Sequence, residues 1–188
     1  SGCGVFTSHH EVSDKYAGPA PRSSRVIANF NYRKEEAAIE RLVDTILLES
    51  RETVYFSCEK RSFKSFDVHL KKETEVTFEY YRTKLQERAP FVLISPILGG
   101  SYPFERPMGE LLAENGISSA LVYRPRRKLR FGTYPSLEVM VRSIVSDRRK
   151  VLDTVLSGGA IDEQKVGSFG ISMGAITNVP LIGVERRL

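Results

Sequence analysis

One stretch limits what this chain can fold into more than any other. Val166 to Ile176 reads VGSFGISMGAI: a short apolar run, then Gly170-Ile171-Ser172-Met173-Gly174, then residues able to open a helix. A strand that turns into a helix within two or three residues needs glycine where the two backbones cross, and Gly170 and Gly174 stand two residues on either side of Ser172. In a strand, turn and helix setting G-x-S-x-G lifts the serine hydroxyl above the sheet edge, where it is a candidate nucleophile. The N–H of Met173, at the N-terminus of the new helix, is a candidate donor to an oxyanion. The plainer reading is a tight strand-to-helix turn with no chemistry. Gly167, Gly170 and Gly174 do not make G-x-G-x-x-G, and no Gly-Lys-Ser/Thr follows, so neither a dinucleotide nor a phosphate-loop reading fits and no cofactor is expected.

The rest of the chain reads as two halves. Up to about Asn29 it is rich in Ser, Pro and Gly without periodicity, a polar leader over 1–30 before a domain over 31–188. From Glu36 to Glu49 the positions Ile39, Leu42, Val43, Ile46 and Leu47 predict an amphipathic helix. Val54 to Cys58, Phe63 to Leu70 and Glu75 to Arg82 read as two or three antiparallel strands, with Cys58 and His69 inside them. Beyond Pro90, strand and helix alternate. Phe91 to Ile94 is a strand running into the glycine-containing loop Pro96 to Gly100, Arg106 to Glu114 a helix stopped by Asn115-Gly116, and Ile117 to Tyr123 a strand. Ser136 is the expected cap of a helix from Leu137 to Leu156, with Val141, Ile144, Val145, Val151, Leu152 and Val155 as its buried stripe, and Lys165 to Phe169 is the strand before the turn. Pro180 is expected to kink or stop the last helix. This order implies an α/β fold, a mostly parallel sheet with helices on both faces. Ligands of such sheets bind beyond the carboxyl ends of the strands, where the loop after Ile94, the loop after Tyr123 and the Ser172 turn converge.

Composition removes several classes. The chain has 188 residues, 41% hydrophobic and 27% charged, enough for one well-buried domain. No apolar run approaches the length of a membrane span. The net charge of +5 is spread along the chain. Arg124, Arg126, Arg127, Lys128 and Arg130 form a basic run without an aromatic platform, so a solvated loop, or a rim that attracts an anionic acyl substrate, is expected over nucleic-acid binding. Cys3 and Cys58 show neither a disulfide framework nor metal-ligand spacing, and His9 and His10 lie in the polar N-terminal stretch and His69 in a strand-like run, so no metal is expected.

PILGGSYPFERPMGELLAENG, KVGSFGISMGAI and the order of elements from Pro90 onward resemble the α/β-hydrolase fold of esterases and dienelactone-hydrolase-like serine hydrolases, over about the C-terminal half of the chain. The resemblance implies a small-molecule ester or acyl substrate, Ser172 as nucleophile, Met173 N–H as one oxyanion donor, and a second donor from the loop Pro96 to Gly100, with Leu98 first and Gly99 next. It also implies an acid and a histidine after the serine. Between Met173 and Leu188 the only carboxylate is Glu185, and all three histidines precede Ser172. The expectation is an N-terminal portion of a longer enzyme, truncated after the turn helix and inactive alone, with Val166 to Phe169 and Ile176 to Ile182 left uncovered. The alternative is a non-catalytic binding or scaffold protein on the same fold. Ser1-Gly2-Cys3 resembles the end of the lipobox of bacterial lipoproteins, which implies lipidation of Cys3, a membrane tether through the leader and a place in the bacterial cell envelope. The alternative location is the cytoplasm.

Overall fold

The computed structural model describes Phe30 and residues 41–97, 101–123 and 134–188. The leader with Cys3, His9 and His10, the loop residues Leu98, Gly99 and Gly100, and the basic run 124–130 lie outside the described residues.

A six-stranded sheet carries the fold. Its strands are β1 (Ile46–Glu52), β2 (Phe56–Asp67), β3 (Lys72–Thr83), β4 (Ala89–Ser95), β5 (Ser118–Val122) and β6 (Ile161–Gly170), in the spatial order β1-β2-β3-β5-β4-β6. Helices α1 (Glu105–Glu114), α2 (Tyr134–Leu156) and α3 (Met173–Val184) follow β4, β5 and β6. The sheet is mixed. β1, β2, β3 and β5 pair antiparallel, whereas β4 pairs parallel with both β5 and β6. Short turns join β1 to β2 and β2 to β3 as antiparallel neighbours, and the crossover through α1 makes β4 and β5 parallel.

Both faces of the central strands are covered, and successive residues of those strands supply the two cores by alternation. Leu93, Tyr80 and Ala120 face the larger core with Val145, Val151, Leu152 and Val155 of α2 and Leu181 and Val184 of α3. Their neighbours Ile94, Tyr81 and Leu121 face the smaller core with Ala113 of α1, Phe56 and Cys58.

Several expectations change in three dimensions. The helix expected over Glu36–Glu49 is absent from its described part: Leu42–Asp44 is one 3-10 turn and Ile46 and Leu47 belong to β1, opposite Ser62 and Arg61. The open edge of β2 offers β1 a full ladder of backbone hydrogen bonds, which outweighs a weak amphipathic stripe. The runs Val54–Cys58 and Phe63–Leu70 are largely one 12-residue strand, β2. His69 lies in the turn after it, where Asp67 Oδ1 accepts the N–H groups of His69 (2.9 Å) and Leu70 (3.0 Å). Ser136 is inside α2, which begins at Tyr134, so it is not the cap. Pro180 does not stop α3, which runs on to Val184 because Leu181 and Val184 bury against the larger core. The stop at Asn115-Gly116 is as expected, with Asn115 as C-cap and Gly116 at φ 81.

Candidate active site

The carboxyl ends of β4, β5 and β6 lie at one edge, with Ser95 opposite Gly170 and Ile94 opposite Leu121. Ser172 leaves that edge as the N-cap of α3 at φ 53 and ψ −119, a conformation costly for a residue with a side chain. Its side chain makes no capping hydrogen bond, and the residue is exposed. The turn is held by Gly174 N–H to Ile171 carbonyl at 2.8 Å and Ile176 N–H to Ser172 carbonyl at 3.1 Å.

Sterics explain both flanking glycines. A Cβ on Gly170 would lie 2.6 Å from the Gly174 carbonyl carbon and 2.7 Å from the Ala175 nitrogen. On Gly174 it would run into the Ser95 carbonyl oxygen and sit 2.8 Å from that of Pro96. Gly170 therefore lets strand and helix cross, and Gly174 lets the helix press against the end of β4. Ile171 N–H, bonded to the Ser95 carbonyl at 3.3 Å, closes the same junction. Gly167, with nothing within 4 Å of its Cβ position, carries no such constraint.

A buried polar network, which sequence reasoning missed, fixes the first turn of α3. Arg148 of α2 donates to Thr177 Oγ1 at 2.7 Å, and Ser95 Oγ donates to Asn178 Oδ1 at 2.5 Å. Thr177 Oγ1 in turn donates to the Met173 carbonyl at 2.9 Å. One signal was available: Arg148 falls on the stripe Val141, Ile144, Val145, Val151, Leu152, where a cation is out of place unless a polar partner waits for it. Met173, Thr177, Pro96, Tyr123, Asp147 and Arg148 help to line a cavity of about 10 Å³ beside the turn, room for one water.

The remaining candidates go elsewhere. Glu185 is buried at the far end of α3, where it accepts from Arg149 at 3.1 Å and Arg187 at 2.8 Å. Burial pushes its carboxyl up, but Arg187 and Arg149 outweigh this and hold it at about 2. His69 is half-buried over α2 with Nε2 3.2 Å from Ser146 Oγ, and burial lowers its pKa against the pull of Asp67. Cys58 is buried and free, its thiol raised by burial and by Glu79. Among the described residues no group of three or more His, Cys, Asp or Glu side chains could hold a metal ion, and no helix is long and apolar enough to cross a membrane.

Solved structures share this fold. Acetyl xylan esterase 1 from Thermoanaerobacterium sp. JW/SL YS485 superposes with a TM-score of 0.65 over 91% of this chain and 58% of its own, at 16% identity. The fold is that of the α/β-hydrolases. A putative acetyl xylan esterase from Bacteroides fragilis NCTC 9343 gives a TM-score of 0.61 over 87% of this chain and 50% of its own, at 14% identity. A cold-adapted esterase from an Arctic intertidal metagenomic library gives 0.54 over 74% and 61%, at 18% identity. The chain thus spans 50% to 61% of the length of these α/β-hydrolase-fold structures. No protein-family model and no curated protein sequence matches it.

Proposed function

We propose that this chain carries the nucleophile of an ester hydrolase, with Ser172 attacking the acyl carbon of a small-molecule ester. The carrying observation is the strained, exposed Ser172 at the head of α3, between two glycines that steric contact makes obligatory. The Met173 N–H opens α3, where helical N–H groups lack intrahelical partners and the dipole favours negative charge, so it is the first oxyanion donor. The second comes from the loop after β4, with Leu98 or Gly99 as donor. Structural neighbours that are named as esterases support an ester as the substrate class.

Serine needs a base to become nucleophilic at neutral pH, and none of the three histidines follows Ser172 in the sequence. The 188 residues alone are expected to turn over esters negligibly, because Glu185 is held in ion pairs and His69 is engaged with Ser146. A fluorophosphonate probe tests the reading on the protein expressed from its full reading frame: it should label Ser172, and Ser172→Ala should abolish labelling and reduce turnover by about a millionfold. Equal labelling of the alanine variant would remove the assignment. The second reading, a non-catalytic scaffold, is favoured by Glu185, the one carboxylate after Ser172, being held in ion pairs. Absence of both labelling and hydrolysis in the full protein would support it.

Lipidation of Cys3 and an envelope tether form a separate proposal, resting on Ser1-Gly2-Cys3. Cys3→Ala should move the bacterially expressed protein from membrane to soluble fractions, and an unchanged distribution would rule the tether out.

A further inference from the structure

A second cleft opens on the other side of the sheet from α2 and α3, between α1 and strands β1 to β3. Its volume of about 370 Å³ suits a small metabolite. The floor is fixed: Glu79 is buried and accepts the Tyr81 hydroxyl at 2.6 Å, the Tyr123 hydroxyl at 2.5 Å and Arg106 at 3.1 Å. Its charge and lone pairs are thus used inside the fold. The walls are different. Lys60 of β2 pairs with Glu49 at 2.6 Å, and Arg51 of β1 pairs with Glu110 of α1 at 2.6 Å. Both are surface pairs, with the Glu49 side chain 71% exposed and that of Arg51 53%, and such pairs add little stability.

Each of these cations has a second anchor. Lys60 Nζ lies 5.7 Å from the centre of the Tyr123 ring, and the Arg51 guanidinium lies 5.6 Å from that of Phe56. Both therefore keep their place when a carboxylate swings away. Across the β1–β2 ladder Arg51 stands opposite Cys58 and Glu49 opposite Lys60, so Arg51 and Lys60 are diagonal neighbours on the face that lines the cleft. With Glu49 and Glu110 turned out to solvent, two positive charges face one small space, and the guanidinium fork matches carboxylate and phosphate oxygens. We propose that this cleft binds a small dianion, a phosphate ester or a dicarboxylate, through Lys60 and Arg51 in exchange for Glu49 and Glu110. The site is separate from the Ser172 turn and does not rest on Ser172 as the nucleophile.

The test is calorimetric titration of the protein from its full reading frame with inorganic phosphate and, separately, with succinate, at constant ionic strength set by sodium chloride. Lys60→Gln and Arg51→Gln should each weaken binding about tenfold, through loss of a charge-assisted hydrogen bond. The double variant Glu49→Gln, Glu110→Gln should instead tighten it about threefold or more, because the competing carboxylates are gone and little stability goes with them. Ion pairs that serve only to hold β1 and α1 in place would give no such gain. Binding of phosphate alone identifies a phosphate ester as the ligand class, binding of succinate alone a dicarboxylate, and either supports the site. Should one cation variant fail to fold, its lost thermal transition shows it, and the other cation variant decides. No binding of either anion by the unaltered protein, or binding that the folded cation variants leave unchanged, would overturn the site. Binding no tighter in the double variant would overturn the exchange of partners.

Discussion

The two ends of α3 are built on different physics. At its N-terminus the helix is placed by steric contact, with Gly174 against the Ser95 carbonyl and Ser172 strained and exposed. At its C-terminus it is placed by charge: Glu185 is buried between Arg149 and Arg187, and Arg187 also reaches Asp153 at 2.6 Å. The first kind of constraint is indifferent to pH and intolerant of a single methyl group. The second tolerates changes of shape but depends on protonation.

Gly174→Ala should be the most damaging change, costing about 3 kcal/mol or more, because the new Cβ would meet the Ser95 and Pro96 carbonyl groups, backbone that cannot rotate away. Gly167→Ala, which meets nothing within 4 Å, should stay within about 0.5 kcal/mol. Denaturant midpoints for the two variants measure the contrast, and equal losses would break it.

At the other end Glu185→Gln should cost about 2 kcal/mol at neutral pH, since it leaves buried arginines short of a partner. The Glu185 carboxyl lies at about 2 when folded against an ordinary 4.5, so its stabilisation is complete above pH 4.5 and is lost as pH falls toward 2. Asp153, raised by burial against the pull of Arg187, opposes part of that slope. Urea titrations across this range should be flatter for Glu185→Gln than for the parent, and parallel curves would remove the electrostatic half of the comparison.

Ser172→Gly should be more stable than Ser172→Ala by up to about 1 kcal/mol, because glycine adopts positive φ without the clash that alanine keeps. A glycine variant less stable than the alanine one would show that the turn stores no strain.

The smallest effect is expected on the outer face of α3, where Ile176, Val179 and Ile182 are 62%, 73% and 44% exposed. Val179→Ser should change stability by less than about 0.5 kcal/mol in the 188-residue chain. A larger loss, growing with protein concentration, would show that the face is covered by another molecule.

The Ser172 turn was legible because its constraint is local: strand, crossing glycines and helix occupy adjacent residues, and only a few backbone paths join them. The alternation beyond Pro90 was legible for the same reason, each apolar run or stripe carrying its own period. Ile46 and Leu47 were misread because a helical stripe and a short strand place apolar residues alike, and the deciding partner, the edge of β2, is a separate element. A turn capped by Asp67 places His69 outside a strand, and the burial of Leu181 and Val184 carries α3 past Pro180, each against local propensity.

What the sequence determined by itself was therefore the set of elements in the second half and the position of the exposed serine, since both follow from short-range geometry. Tertiary structure alone decided which polar groups share a site. Arg148 meets Thr177 across 29 positions, Ser95 meets Asn178 across 83, and Glu105 turns inward to Ile97 rather than outward to solvent. Such pairings depend on how strands order themselves in the sheet and how closely helices press on it. No period or spacing along one chain encodes that, because a buried charge and a solvated one are the same letter until the fold places them.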